Sequence, residues 1–497
     1  MSQIVSRPAA PISARWGVLF LTRLCLVYLL LVELVGCGPP VNRYVLIEDS
    51  LRANNPKRAD AIVEGAEKDY GSKSVVLYGM DRGMTLQLAG DYKKSNAVLE
   101  QAEDEVDRLY TRRIRTETAA FLTNDNLLPY EGDPYEQVLI NVLKAINYVM
   151  LGAWEDALVE ARRIDHKLNV LWDRTPDKNA YRDDGFARYL TGILYESTGD
   201  LNNAFIAYRR AYEAFEASHS WLHLSAPTQL RADLLRTADA MHLSQEFMEY
   251  QRLFPDATWE SSEKTQRLAQ VVVISYNGRA PRKEDQFLDV PISLDALQLV
   301  LLNRGFSQSN RQNNRVADSV LYGLNGRVVR VALPRLVLQQ TQVKNDPVTL
   351  TSDTGIQVNA RTEVVQSVTA LAEKTLSERL PGITVKALAR ATVKFSLAEG
   401  AARGAQQAAG KDAGPWVGLA VGLLAHGLAV GSEEADKRSW ETLPDEIHLA
   451  RLWVTPGQYH AYLRGPGQSN EAMGTEMGRE LTLDAGRTVF LFQRVMP

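Results

Sequence analysis

Residues 145–161 read AINYVMLGAWEDALVEA, and residues 192–208 read GILYESTGDLNNAFIAY. Residues 83–102, GMTLQLAGDYKKSNAVLEQA, follow the same order of small and apolar side chains. In all three stretches apolar residues recur every three or four positions, which is the spacing of one face of a helix. A glycine in the middle of each stretch suits the left-handed turn that ends a helix. The three stretches therefore predict pairs of antiparallel helices.

Two sets of small residues define this repeat. The first set would let the paired helices approach each other closely: Gly83, Ala145 and Gly192. The second set would end the first helix of each pair: Gly90, Gly152 and Gly199. The pattern resembles tetratricopeptide repeats, in which helix pairs stack into a superhelix with a period of 34 residues. The turn glycines here are 62 and 47 residues apart, so longer helices or inserted loops must intervene. We expect an all-α tetratricopeptide-like repeat domain over residues 45–262, with a generic helical bundle as the alternative.

Aromatic side chains in and beside the repeats are the candidate protein-binding residues. The resemblance implies a concave groove that binds extended peptides or protein surfaces, and the candidates are Tyr130, Tyr135, Tyr148, Trp154, Tyr195 and Tyr208. The alternative is that these rings pack between helices. Similarly, the loop of residues 130–136 (YEGDPYE) could line the groove or serve as a turn between repeats.

The N-terminal segment has the features of a secretory signal. An apolar stretch at residues 16–36, WGVLFLTRLCLVYLLLVELVG, follows two arginines, as expected of a signal peptide. Leu34-Val35-Gly36-Cys37 resembles the lipobox of bacterial lipoproteins. The resemblance implies a signal peptide at residues 1–36, lipidation of Cys37 and a lipid-attached tether at residues 37–44. An uncleaved transmembrane anchor is the alternative, although its longest uninterrupted apolar run is short of the ~20 residues needed to span a bilayer.

The same resemblance predicts where the protein is located. Acylated Cys37 would take the lipid bilayer as its partner and hold the chain in the cell envelope. The residue after the cysteine is Gly38, and enterobacterial sorting implies the outer membrane, facing the periplasm, where an aspartate is absent at that position.

The C-terminal region, residues 265–497, reads as an α+β domain with antiparallel hairpins. Residues 270–276 (QVVVISY) and 327–333 (RVVRVAL) are predicted strands, the second stopped by Pro334. One predicted helix runs from Thr362 to Leu380 and breaks at Pro381-Gly382. Alternating apolar residues predict two hairpins, and the region could form a small β-sandwich that bears helices. The hairpins would pair residues 447–454 with 459–464 and residues 481–483 with 489–494.

Two further segments of this region are singled out. Residues 414–431, GPWVGLAVGLLAHGLAVG, have glycines at four-residue spacing, which favours a buried glycine-rich helix or hairpin, or else membrane insertion or self-association. In residues 435–444 (ADKRSWETLP), Asp436 and Arg438 are expected to pair and pin a loop to Trp440, with ligand contact as the alternative. Together with VVISYNGRAP at residues 272–281, this string resembles an uncharacterised family of Gram-negative tetratricopeptide lipoproteins. That resemblance implies architecture and location but no activity.

The sequence contains no recognisable set of catalytic residues. The formal net charge is −4, with 56 basic and 60 acidic residues, so nothing suggests a nucleic-acid partner. The seven histidines form no HExxH motif, and the chain has no GxSxG, no phosphate loop and no dinucleotide fingerprint. We therefore expect no catalytic residues, no metal and no cofactor.

The sequence thus predicts a membrane-anchored, non-enzymatic scaffold that binds an envelope protein of unknown identity. One alternative is a membrane-active or oligomerising component that uses residues 414–431. Another is an enzyme acting on envelope glycan or peptide, because the two carboxylates of a glycosidase could come from anywhere in the chain.

Overall fold

The computed structural model describes residues 41–116, 126, 128–174, 180–291, 328–408, 421, 434–463 and 479–496. The predicted signal peptide and Cys37 lie outside the described residues, as does the segment 414–431 apart from residue 421. Among the described helices, none combines the length and the apolar character that crossing a membrane requires.

The N-terminal half of the described chain is helical. Helices α4 to α11 form four consecutive antiparallel pairs, α4–α5, α6–α7, α8–α9 and α10–α11, and each pair packs against the next. The predicted helix pairs are therefore present. The helix bounds are α1 Val41–Arg52, α2 Pro56–Gly65, α3 Glu67–Tyr70, α4 Val75–Leu88, α5 Tyr92–Thr116, α6 Pro134–Met150, α7 Trp154–Arg174, α8 Gly185–Ser197, α9 Leu201–Leu222, α10 Thr228–Ala240, α11 Ser244–Leu253 and α12 Ser262–Gln266.

Each of the first three pairs turns at its predicted glycine. Gly90, Gly152 and Gly199 have φ of 79°, 72° and 86°, the left-handed region that glycine adopts without a Cβ penalty. The residue after each glycine donates its N–H to a carbonyl five residues earlier, as in Asp91 N to Leu86 O at 3.0 Å. The fourth pair turns in the same way at His242, with φ of 56°. Because the sequence has no glycine at this turn, the fourth pair was not predicted.

Small residues bring the paired helices together as expected. A Cβ built on Gly83 would overlap the side chain of Leu99 on α5, and one on Gly192 would overlap the ring of Tyr208 on α9. The wide spacing of the turns follows from both expected causes: α5 and α7 have 25 and 21 residues, and residues 117–133 and 175–184 connect them to the next helices.

The C-terminal region is built mainly from two four-stranded sheets. The first sheet has the strand order β10-β1-β7-β6, in which β1 runs parallel to β10 and antiparallel to β7. The second sheet has the order β5-β4-β8-β9 and is antiparallel, and β2 and β3 form a separate pair. The bounds are β1 Ala269–Asn277, β2 Arg282–Pro291, β3 Val328–Val337, β4 Pro347–Ser352, β5 Gln357–Arg361, β6 Glu363–Ser367, α13 Val368–Ala408, β7 Glu446–Val454, β8 Gly457–Leu463, β9 Arg479–Leu483 and β10 Thr488–Val495.

Both predicted hairpins are wrong in their pairing, although their strands exist. Strands β7 and β8 are consecutive but lie in opposite sheets, and β9 and β10 do likewise. The two sheets face each other across an apolar core that includes Val271, Val273, Leu350, Leu452 and Leu481, so the region is a sandwich. Alternating apolar residues predict a strand with a buried face, but they do not specify its partner strand.

Two prolines do not end their elements as predicted. Strand β3 continues through Pro334, which is tolerated because, within the described residues, β3 pairs with β2 alone. The predicted helix from Thr362 begins instead at Val368, after β6, and continues through Pro381 to Ala408. Apolar contacts between β3 and the far part of α13, from Val331 and Leu333 to Ala387 and Ala391, hold that helix in place.

The first sheet is buried on both faces. All nine residues of β1 are buried. Val271 and Val273 face the second sheet, whereas Val272, Ile274 and Tyr276 join the core of the helical repeats. The helical part and the β-sandwich therefore share one continuous apolar core.

Candidate functional site

A buried ion cluster joins the first sheet to the helical repeats. Arg451 of β7 reaches between α8 and α10, where it pairs with Asp233 and donates to Glu196 Oε2 at 2.8 Å. Arg236 completes the cluster, with its Nη2 at 2.7 Å from Glu196 Oε1 and 2.8 Å from Asp233 Oδ1. The hydroxyl of Tyr208 donates to Glu196 at 2.6 Å. Two guanidinium groups and two carboxylates balance in charge, as burial of ions requires.

The electrostatics of this cluster favour the charged forms. Burial alone would raise the pKa of Glu196, but Arg236 and Arg451 outweigh it and lower the pKa to about 2. The pKa of Arg451 is raised well above its ordinary value, because Asp233 and Glu196 outweigh its burial. Glu196 and Arg451 are therefore charged near neutral pH.

A connecting segment, residues 434–445, fastens the sandwich to the N-terminal helices. Thr442 donates to Asp81 Oδ1 at 2.8 Å, and Asp81 Oδ2 accepts from Tyr44 and Tyr70 at 2.7 and 2.8 Å. Burial raises the pKa of Asp81 to about 6. These bonds account for the buried carboxylate within the protein itself, without a ligand.

Glu136, near the start of α6, is a second buried carboxylate that binds the connecting segment. Its carboxylate accepts from the backbone N–H of Trp440 at 2.8 Å, from the hydroxyl of Tyr130 at 2.5 Å and from the backbone N–H of Asp133 at 2.7 Å. Burial, and then the charge of Asp133, raise the pKa of Glu136 to about 7. Asp133 itself pairs with Lys283 at 2.9 Å and with Arg379.

The structure brings together the three residues singled out in the connecting segment. Arg438 binds both carboxylate oxygens of Asp436, at 2.8 and 2.7 Å, and donates to the carbonyl of Leu128 at 3.0 Å. Trp440 is 1% exposed, and its indole N–H donates to Thr442 at 2.9 Å. These contacts hold the connecting segment between the helical part and the β-sandwich.

The candidate aromatic residues occupy packing positions. Tyr130, Tyr135, Tyr195 and Tyr208 are buried, and Tyr148 and Trp154 are half-buried against the core. The ring of Trp154 meets that of Phe490 of β10 edge-on, with centroids 6.1 Å apart. These side chains thus pack within the protein, and a partner-binding role for the six residues stays a prediction.

Among the described residues, a cleft is open between α5, α6 and α7. Its volume is about 630 Å³. Exposed Asp104 and Asp107 stand on the α5 wall, and exposed Arg162 and His166 stand on the α7 wall. Val138, which is fully buried, lies at its base. Glu131, Pro134 and Gln137 also line this side, so the cleft has a mixed polar and apolar base between an acidic wall and a basic wall.

A polar network supports this cleft from below. Lys144 of α6 has no exposed side-chain surface and pairs with Glu103 at 2.7 Å, with Glu160 at 3.1 Å and with Glu100. Burial would raise the pKa of Glu103, but Lys167 and Lys144 lower it to about 2. Within the described residues, no group of three or more histidine, cysteine or carboxylate side chains is arranged to hold a metal ion.

Neither the ionic network of Arg451 nor that of Lys144 was predicted from the sequence. A signal existed for each, since Lys144 interrupts the apolar run VLINVLKAINYVM at residues 138–150 and Arg451 interrupts the apolar strand EIHLARLWV at residues 446–454. A charge inside such a run must find a buried partner. The sequence does not show which of many carboxylates supplies it.

Comparison with known proteins gives limited likeness. No protein-family model matches the chain, and no curated protein matches it. Among solved structures, BtubC from P. vanneervenii is 14% identical, with a TM-score of 0.30 over 42% of this chain and 75% of that chain. MamA is 12% identical, with a TM-score of 0.27 over 43% and 92%. A Podosopora anserina chain of nearly identical TPR-like repeats is 13% identical, with a TM-score of 0.30 over 46% and 95%. The helix pairs described above rest on this chain's own geometry.

Proposed function

We propose that the protein is a non-enzymatic scaffold that binds another protein in the cleft between α5, α6 and α7. The supporting observation is that this cleft is open among the described residues, whereas the first sheet packs against α8 and α10. Walls of opposite charge suit a protein surface that carries both acidic and basic side chains. The buried carboxyls with raised pKa, Asp81 and Glu136, are engaged in contacts between parts of the chain, which favours a structural role for them over a catalytic one.

The proposal includes a membrane anchor. Its support is the sequence: the apolar segment 16–36 and the lipobox-like residues that end at Cys37. Attached acyl chains would hold the protein firmly, because each buried methylene contributes about 0.8 kcal/mol. The scaffold would then present its cleft to a partner in the cell envelope, with the outer membrane facing the periplasm as the expected location.

Cleft binding is tested by crosslinking in cells. A photoreactive amino acid at Asp104 or Arg162, on opposite walls, should crosslink to the same partner. The matched control is the exposed Arg209 on α9, which does not line the cleft. Charge reversal by Arg162→Glu should weaken the crosslink from Asp104. Equal crosslinking from Arg209 would contradict the proposal, as would two unrelated partners for the two walls.

Anchoring is tested separately by Cys37→Ala. The variant should lose incorporation of an alkyne-labelled fatty acid and leave the membrane fraction. Cys25→Ala, which removes the other cysteine of the chain, should retain both properties. A Cys37→Ala protein that still carries the label would refute the lipid attachment without bearing on the cleft.

A further inference from the structure

A second, smaller cavity lies where helix α1 meets the sandwich. Its volume is about 40 Å³, and a water molecule needs about 10–15 Å³ by the same measure, so it holds about three waters or one small oxyanion. Helix α1 contributes Tyr44 and Glu48, and the ends of the strands contribute three arginines: Arg279, Arg282 and Arg494.

One of the three guanidinium groups, that of Arg494, has no carboxylate partner among the described residues. Glu48 pairs with Arg279 and lies 3.1 Å from Arg52, and Arg282 pairs with Glu284 at 2.8 Å. Arg494 instead donates from Nη2 to the carbonyls of Gly278 and Leu443, at 2.9 and 3.3 Å. Its Nε and Nη1 are buried and have no hydrogen-bond partner among the described residues. A buried charged donor left in this way is costly, so an acceptor is expected in the cavity.

Glu441, which also lines the cavity, is compatible with an anion there. Burial, and then the charge of Asp81, raise its pKa to about 8, so its carboxyl is largely neutral at pH 7. Burial and the neighbouring Arg279 lower the pKa of Arg494 to about 10, which leaves it charged at that pH. The charged and titratable groups around Glu441 are Tyr44, Glu48, Asp81, Arg279, Arg282 and Arg494.

We propose that this cavity binds a phosphate group through Arg494 and Arg279. Guanidinium groups match the geometry of phosphate oxygens, and a neutral Glu441 can donate a hydrogen bond to the same anion. The phosphate could come from a lipid headgroup or from free inorganic phosphate. Val45 and Leu46 of α1 are 45% and 47% exposed beside the cavity, which favours a headgroup. That preference rests on the proposed membrane anchor, whereas the phosphate site itself does not.

The test measures binding to the full-length protein in a non-ionic detergent at constant ionic strength. Two probes are titrated by calorimetry: inorganic phosphate and dihexanoyl phosphatidylglycerol, a soluble phosphodiester lipid. Arg279→Gln should weaken binding by about tenfold, because a hydrogen bond to a charged group contributes about 1.5–3 kcal/mol. The exposed Arg267→Gln is the matched control and should bind like the wild type. Tighter binding of the lipid identifies a headgroup site, and tighter binding of inorganic phosphate identifies a free-anion site.

The pH dependence gives a second, independent readout. The phosphodiester keeps its charge between pH 7 and 9, while Glu441 becomes anionic. Wild-type affinity for the lipid should therefore fall by about tenfold over this range, which is about 1.4 kcal/mol. Glu441→Gln should keep the affinity constant. Equal affinities of wild type and Arg279→Gln for both probes, in a folded variant, would overturn the site. If Cys37→Ala protein still carried the fatty-acid label, the proposed lipid anchor would be refuted. The measured binding of phosphate to the cavity would still stand.

Discussion

Arg451 of β7 and Asp233 of α10 form an ion pair with no exposed side-chain surface, although 218 residues separate them in the sequence. Glu196 and Arg236 complete the cluster, so that its charges cancel. The first sheet is therefore held against the helical repeats by specific charges as well as by apolar contact. The sheet therefore packs against α8 and α10, whereas the proposed partner site is the cleft between α5, α6 and α7.

Removing Arg451 should strongly destabilise the protein. Arg451→Met leaves two buried carboxylates with one guanidinium, and breaking a buried pair in this way costs about 3–5 kcal/mol of unfolding free energy. Urea unfolding followed by tryptophan fluorescence measures the change. Adding Asp233→Asn should recover part of the loss, since it restores the balance of charge. The exposed Arg209→Met should stay within about 0.5 kcal/mol of wild type. A loss below about 1 kcal/mol for Arg451→Met would contradict the cluster's role.

Stability should fall as the pH rises through neutrality. Burial raises the pKa of Asp81, Glu136 and Glu441 to about 6, 7 and 8. A carboxyl whose pKa is higher in the folded state stabilises fully below its unfolded pKa, and this stabilisation is lost as pH rises through the folded pKa. Between pH 5 and 9, Glu441→Gln should remove a slope of at most about 1.4 kcal/mol per pH unit. The exposed Glu213→Gln should leave the slope unchanged, and a wild-type stability that rises with pH would contradict the assignment.

Lys144 should stabilise the folded protein at neutral pH, and progressively less as the pH falls. Lys144→Met removes the fully buried cation of Glu103 and Glu160, which then keep only Lys167 and Arg163. The loss of these buried hydrogen bonds should cost about 1–3 kcal/mol at pH 7. In the wild type the folded pKa of Glu103 is lowered to about 2, so its stabilisation is complete above its unfolded value and is lost as pH falls towards 2. The gap between wild type and variant should therefore narrow between pH 5 and 2. A difference in unfolding free energy that did not change with pH would show that the variant loses packing only. Lys264→Met, at an exposed ion pair, is the control.

Close helix approach at Gly83 predicts intolerance of even one methyl group. Gly83→Ala would force Leu99 out of position, and such overpacking costs about 1–3 kcal/mol. Gly65→Ala is the matched control, because nothing lies within 4 Å of a Cβ at that helical position. The control should be neutral or stabilising by up to about 1 kcal/mol. Thermal unfolding of the two variants side by side gives the comparison, and equal effects would argue against the close packing.

Sequence predicted the local elements of this fold better than their partners. The turn glycines and the strand at residues 270–276 were visible because backbone conformation and apolar periodicity are properties of neighbouring residues. The sheet to which β8 belongs was not visible, because the same alternation suits a hairpin or a sandwich. Arg451 and Asp233 were missed for a related reason, since the need for a buried partner does not identify it. The open cleft depends on three helices at once and has no local signature.

The fourth turn shows the limit of glycine as a signal and gives a final prediction. His242 occupies the left-handed position that glycine holds in the other three turns, and its side chain is exposed. A left-handed residue with a Cβ costs about 1–2 kcal/mol, and glycine loses about 0.5–1 kcal/mol in chain entropy. His242→Gly should therefore raise the free energy of unfolding by about 0.5–1 kcal/mol. Gly199→Ala should lower it by about 1 kcal/mol, because it introduces the strain that His242→Gly relieves. If His242→Gly proved less stable than wild type in urea, the histidine would have to contribute a contact that outweighs its strain.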